Sequence, residues 1–317
     1  MKTEITNLLG VSYPILQGGM AWVAEHKLAS AVSEAGGFGI IGAGGAPAAW
    51  VEEQIWLARK RTDKPFGVNL MLMNPEAEQI AEVIAKERVS AVTTGAGSPE
   101  KYMERWKSMG VKVIPVVASV ALAKRMERAG ADAVVAEGTE SGGHIGELTT
   151  MALVPQVCDA VQIPVIAAGG IADGRGIAAA LMLGAKAVQM GTRFITTVES
   201  TVHKNYKERV LRAKDIDSKV TGRGTGHPVR CLRNQMTNRY LRREAEGASF
   251  EELEQLTLGG LRRAVVEGDM EGGSIMAGQI AGLVHEELTC RELLEKLMRE
   301  TREALRSGSA WFAEEAE

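Results

Sequence analysis

Aromatic residues are scarce in this 317-residue chain, at 4%. A core with so few rings must rest on Val, Ile, Leu, Ala and Met. Cysteine is limited to Cys158, Cys231 and Cys290. Their spacing is not that of a metal site, and their number is odd. With no long apolar leader at the N-terminus, they point to the cytosol. No apolar run is long enough to cross a bilayer: the longest, around Val113 to Ala123, carries Pro115 and Ser119. The sequence has no H-E-x-x-H, no C-x-x-C and no dense carboxylate cluster, so no metal is expected. A Walker A lysine and a G-x-S-x-G elbow are missing too.

What is abundant is glycine, at 36 residues, set in a chain that is 45% apolar. The glycines cluster at the ends of apolar runs, which suits tight turns between buried elements. An amphipathic helical segment, a small-residue turn and an apolar run recur as a unit. Leu28–Ala35 leads through Gly36-Gly37 into Phe38–Ile41, Ala121–Arg128 through Gly130 into Ala133–Val135, and Ile177–Leu183 through Gly184 into Ala187–Met190. A glycine after each helix fits the left-handed C-cap.

Eight candidate strands emerge: Tyr13–Gln17, Phe38–Ile41, Phe66–Leu70, Ala91–Thr94, Val111–Val117, Ala133–Ala136, Pro164–Ala168 and Ala187–Met190. They are short, continuous and rich in Val and Ile, as strands buried on both faces are. Alternation with helices makes an α/β fold, a (β/α)8 TIM-type barrel, the natural closure. A doubly wound sheet is weakened by the missing G-x-G-x-x-G after the first strand. The pattern breaks after Ile195. Residues 199–269 read as an inserted, mainly helical lid, and residues 1–198 and 270–317 as the barrel. The tail Trp311–Glu317 reads as frayed.

Net charge is only −3, but it is unevenly spread. From His203 to Arg243 twelve Lys and Arg face three acidic residues, a local +9 against −12 elsewhere. This segment is either a solvated face or a docking surface for an acidic partner. Nucleic acid is not expected there, since only Tyr206 and Tyr240 could stack on bases. No membrane contact is expected either. A homodimer is allowed, and nothing in the sequence fixes it.

In a barrel the strand ends converge on the C-terminal face, where active sites are built. The first strand ends Gln17-Gly18-Gly19-Met20, and the third carries Asn69. The sixth ends at Glu137 and leads to Gly142-Gly143-His144. The seventh ends Ala168-Gly169-Gly170, and the eighth Gln189-Met190-Gly191-Thr192. Glycines after the last two strands let backbone N–H groups approach a phosphate, and helix N-termini favour its charge. Asn69 and Gln189 can read the edge of a planar heterocycle, or merely satisfy local backbone. Met20 can pack on a ring face or in the core. His144, flanked by glycines, is the first candidate for chemistry. His227, in Gly222-Arg223-Gly224-Thr225-Gly226-His227, is the second.

Together, Ile15–Trp22, Phe66–Asn69, Ala136–Gly146, Ile166–Ala172, Gln189–Phe194 and Met276–Leu283 resemble the nitronate monooxygenase-like flavoproteins. Within that superfamily the chain most resembles the bacterial enoyl-acyl-carrier-protein reductase II branch, over about Lys2 to Leu305. The resemblance implies a barrel that binds FMN, uses NADH or NADPH as reductant and reduces enoyl thioesters in fatty acid elongation. It implies that Gly169, Gly170, Gly191 and Thr192 hold the phosphate. Gly18, Gly19, Met20 and Asn69 would lie along the ring, with Glu137 near the ribityl chain. Gly142, Gly143, Ala168, Gln189, Met190, Ser274, Met276 and Gln279 complete the implied cofactor site. His144 would stand beside the substrate carbonyl. The basic segment 203–243 would then meet an acidic acyl carrier protein. Glu137-Gly138 and the run Ile145–Thr150 favour the reductase branch over the oxygen-using branch, which more often has glutamine before that glycine. A nitronate monooxygenase and a non-redox phosphate-binding barrel are the alternatives.

Overall fold

In a computed structural model describing residues 1–310, eight parallel strands form one sheet. They are β1 (Ile15–Gln17), β2 (Gly39–Gly42), β3 (Phe66–Met71), β4 (Ala91–Gly95), β5 (Lys112–Val117), β6 (Val134–Glu137), β8 (Val165–Ala168) and β9 (Ala187–Met190). The short strand β7 (Gly143–His144) lies outside this sheet. The order β1-β9-β8-β6-β5-β4-β3-β2 leaves β1 and β2 at the two ends. A parallel bridge between Leu16 and Phe38 joins them and closes the barrel. Gln17 reinforces this seam: its Nε2 donates to the Ile40 carbonyl (3.1 Å), and its Oε1 accepts from the Ile40 amide (3.3 Å).

All eight anticipated strands are present, shifted at their ends by a residue or two. Gly36, Gly130 and Gly184, at φ of 95°, 94° and 101°, stop three helices as the sequence pattern requires. Leu16, Ile40, Ile114, Val135 and Ile166 fill the barrel interior. Ile5 and Leu9 of the N-terminal helix Glu4–Leu9 join the same cluster, so this helix plugs one end. The eighth helix position is taken by the C-terminal helix Cys290–Ala310. It packs against helices Gly174–Met182 and His26–Glu34. A Cβ at Gly174 would lie 2.3 Å from Glu300 Cβ, so only glycine allows this approach. The expectation for Trp311–Glu317 falls outside the described residues.

Between β9 and that last helix the chain is mainly helical, with helices Lys204–Leu211, Gln235–Ala245 and Phe250–Thr257. It also contains a hairpin, β10 (Ser218–Thr221) and β11 (Val229–Leu232), where only a helical lid was expected. β11 pairs antiparallel with both β10 and β7. Among the described residues no helix is long and apolar enough to cross a membrane.

Candidate active site

Side chains alternate along a strand, and paired residues of a parallel sheet share a face. Asn69 pairs with Thr93, and Thr93 with Ile114 of the interior. Glu137 pairs with Ala168, and Ala168 with Gln189. Asn69, Glu137 and Gln189 therefore crown the interior at the C-terminal ends of the strands. Asn69 donates from Nδ2 to Thr93 Oγ1 (3.0 Å). The buried Gln189 Oε1 has no hydrogen-bond partner among the described residues. Burial pushes the Glu137 carboxyl up to about 7, and the nearby Ser141 hydroxyl offsets only part of this. Such a carboxyl titrates where enzymes work.

Glycines let the first loop lie against this crown. A Cβ at Gly18 would fall 3.2 Å from Gln189 Cγ, and one at Gly19 would fall 2.1 Å from Asn69 Cβ. A Cβ at Gly191 would lie 3.4 Å from Met20 Sδ, which places Met20 beside the β9 end. Met190 has the opposite phase. Its side chain packs in the outer cluster with Val188 and Phe194, and only its carbonyl, accepting from Gly18 N–H (3.0 Å), meets the β1 end.

The anion nest differs from the simple helix-terminus picture. Helix Gly174–Met182 is already capped: Asp173 accepts from the amides of Arg175 (2.9 Å) and Gly176 (3.4 Å), and Glu300 from that of Gly174 (3.1 Å). The amides free to meet an anion lie one turn earlier. Gly169 and Gly170 both have left-handed backbone, at φ of 87° and 70°. Their N–H groups and that of Gly191 have no acceptor among the described residues. Successive N–H groups so presented form a nest for an anion. Thr192 shares its duty, because its Oγ1 accepts from Gly278 N–H (2.8 Å). Thr150 fixes the nest's rim. Its hydroxyl lies within hydrogen-bonding distance of Glu140 (2.8 Å) and of the Gly169 carbonyl (3.0 Å).

His144 is not on a free loop. It belongs to β7, where it pairs with Val229, and Gly143 pairs with Arg230. Ile145 N–H donates to the Pro228 carbonyl (3.2 Å). The imidazole is exposed. Surrounding protein lowers its basicity, and the charge of nearby His227 lowers it further. His227 thus stands with His144, and its ring lies 5.2 Å from that of Phe250.

A return segment covers this loop. Gln279 N–H donates to the Glu140 carbonyl (2.9 Å), and a Cβ at Gly142 would lie 2.7 Å from the Ala277 carbonyl carbon. Met276 lies beside Gly143, its Sδ 3.6 Å from where a Cβ there would stand. Tyr206 Oη donates to the Met276 carbonyl (2.7 Å). Ser274 is buried against Gly260 in the lid.

The basic segment is largely paired off. Arg209 and Arg233 share Asp217, Lys207 meets Glu287, Arg223 meets Glu147, Arg212 meets Glu208, and Arg243 meets Glu246 and Glu252. Arg230 is buried, at 5% exposure. Lys204, Lys214, Lys219, Arg239 and Arg242 have no carboxylate partner among the described residues. Arg239 and Arg242 line a groove of about 940 Å³ with Gln255, Leu256, Arg263, Asp269 and Glu271. The three cysteines are free, and no cluster of three or more His, Cys, Asp or Glu among the described residues could hold a metal.

The family model for nitronate monooxygenase matches residues 2–87 and 76–300. The solved structure of FabK from Thermotoga maritima superposes with a TM-score of 0.96 at 51% identity, covering 98% of this chain and 99% of that one. A (3aS,4S,5R,7aS)-5-hydroxy-7a-methyl-1-oxo-octahydro-1H-indene-4-carboxyl-CoA dehydrogenase of Rhodococcus jostii is 34% identical, over 94% of this chain and 95% of its own. A probable nitronate monooxygenase of Staphylococcus saprophyticus is 33% identical, over 96% and 99%.

Proposed function

The chain belongs to the nitronate monooxygenase family, and from that premise we propose that it is an FMN-dependent enoyl-thioester reductase using NADH or NADPH. The observation that carries the reading is the three-part mouth. It joins a glycine nest of unclaimed amides, a crown of Asn69, Glu137 and Gln189, and one histidine on the loop that follows the β6 end. The nest fits the phosphate of a mononucleotide. The unpartnered Gln189 Oε1 and the Asn69 amide fit the polar edge of an isoalloxazine. Met20 fits its flat face. Similarity to FabK at 51% identity supports the reductase branch, against 33% for the probable nitronate monooxygenase.

When bound, FMN supplies hydride transfer between a nicotinamide and the β-carbon of the thioester. The chain's own residues do the rest. Asn69 and Gln189 would orient the ring, Glu137 would lie toward the ribityl chain, and Gly169, Gly170 and Gly191 would anchor the phosphate. His144, kept neutral near pH 7 by its lowered basicity, donates an N–H hydrogen bond to the thioester oxygen as negative charge builds there. The natural acceptor in this reading is an enoyl group on an acidic acyl carrier protein. Arg239 and Arg242, rather than Arg230 or Arg233, provide the free positive charge to meet it.

The test begins with the absorbance spectrum of the purified protein. Flavin bands and oxygen-independent oxidation of NADH or NADPH on adding crotonyl-CoA are expected. A colourless protein that also binds no added FMN would end the reading. Oxygen uptake with a nitronate, and no reaction with the enoyl thioester, would assign the chain to the oxygen-using branch instead.

A further inference from the structure

His144's side chain makes no hydrogen bond among the described residues, so its aim is set by backbone alone. That backbone is held from the lid. Arg230 of β11 pairs with Gly143 through its main chain. Its guanidinium turns to the other end of the same loop: Nε and Nη2 both donate to the Thr139 carbonyl, at 3.1 and 2.9 Å. Nη1 donates to Ser218 Oγ (2.8 Å), which ties in the neighbouring strand β10. One residue thus grips residues 139 and 143 and spans the turn that delivers the histidine.

The grip is costly to maintain. The guanidinium is buried and has no carboxylate within ion-pair distance among the described residues. Burial and the neighbouring Arg223 both lower its basicity, and only Glu140 opposes them. A buried unpaired cation needs hydrogen bonds to offset lost hydration. Here both acceptors are neutral oxygens, and two of the three bonds converge on one carbonyl. A lysine cannot reproduce that fork, because its ammonium is a compact point charge on a flexible stem.

We propose that Arg230 is a positioning residue: it locks the Thr139–His144 turn to the lid hairpin, so that His144 is aimed only when the hairpin is seated. The proposal rests on the reductase reading for its kinetic consequence, but not for its structural one. A basic residue in the middle of a +9 segment is thereby removed from the docking surface and given to the acceptor half-reaction.

The test compares wild type with Arg230→Lys, Arg230→Met and Arg230→Ala in the FMN-loaded protein, by hydrogen exchange and by stopped flow. Amides of residues 139–146 should exchange at least tenfold faster in the variants, with exchange in the barrel strands unchanged. Flavin reduction by NAD(P)H should keep its rate. Reoxidation by crotonyl-CoA should slow by about 10- to 100-fold, in kcat more than in KM, and added guanidinium should partly restore Arg230→Ala. Wild-type exchange in the turn with an unchanged acceptor rate would overturn the proposal. So would an equal fall in both half-reactions, or failure of all three variants to fold, since Arg230 would then serve only stability. If the wild-type protein reduces no enoyl thioester, the functional reading fails, while the exchange data still decide the role of Arg230.

Discussion

A Cβ placed on Gly19 would lie 2.1 Å from the Cβ of Asn69. The β1 loop and the end of β3 therefore touch without a side chain between them, on a residue whose amide donates to Thr93 Oγ1. Gly19→Ala must push Asn69 aside. Overpacking of this kind costs roughly 1–3 kcal/mol. The expected outcome is a folded protein with a lower Tm and FMN affinity weakened at least tenfold, measured by flavin fluorescence. Unchanged affinity would remove Asn69 from the cofactor site.

Glu137 gives the protein without cofactor a pH signature. Its carboxyl moves from an ordinary 4.5 to about 7 because burial disfavours the charged form. The folded state then holds a proton that the unfolded state releases. The contribution to stability is full below pH 4.5 and is lost as pH rises through 7. The loss by pH 8 is on the order of 2–3 kcal/mol by linkage. Glu137→Gln should flatten the fall in urea-unfolding stability between pH 5 and 8. An identical slope in both proteins would mean the carboxyl is ionised in the fold.

Legibility differed between the barrel and its cover. The eight barrel strands were readable because burial on both faces leaves continuous runs such as Val165–Ala168, punctuated by C-cap glycines such as Gly184. Asn69, Glu137 and Gln189 could be placed at strand ends, but their common phase needed the register. β7 is two residues long and has no periodicity, and its partner lies some 85 residues onward. β10 and β11 hide in a segment whose charge count is its loudest signal. Val229-Arg230-Cys231-Leu232 after the glycine-bounded turn Gly222–Gly226 was the available hint. Counting charge along a sequence cannot show that Arg230 is buried or that Asp217 serves two arginines.

His144 and His227 should be separable by kinetics. His144→Ala removes the proposed donor to the thioester oxygen and should slow the acceptor half-reaction about 100-fold, sparing flavin reduction. His227 lowers the basicity of His144 by repulsion. His227→Gln removes that repulsion, so the His144 pKa should rise toward its ordinary 6.5. The limb that His144 titration contributes to the acceptor-step pH profile should then move to higher pH, because imidazolium forms sooner as pH falls. A limb that stays in place would show that the two rings do not interact in the working enzyme.

The acyl-carrier reading turns on which cations are free. Arg239 and Arg242 sit three residues apart on the helix Gln235–Ala245, so they share a face. They line the groove with Gln255, Leu256, Arg263 and the acidic Asp269 and Glu271, and neither forms an ion pair with a carboxylate among the described residues. Reversing both, as Arg239→Glu with Arg242→Glu, should weaken an acidic carrier through its association rate. The expected loss in kcat/KM for crotonyl-carrier protein is tenfold or more at low salt, shrinking as salt screens the charges. Crotonyl-CoA, which lacks the protein surface, should keep its rate within about twofold, because no residue of the His144 loop lines the groove of these arginines. An equal loss with both substrates would place the arginines in catalysis or folding. No loss with either would leave the groove outside carrier recognition and return the positive segment to a solvated face.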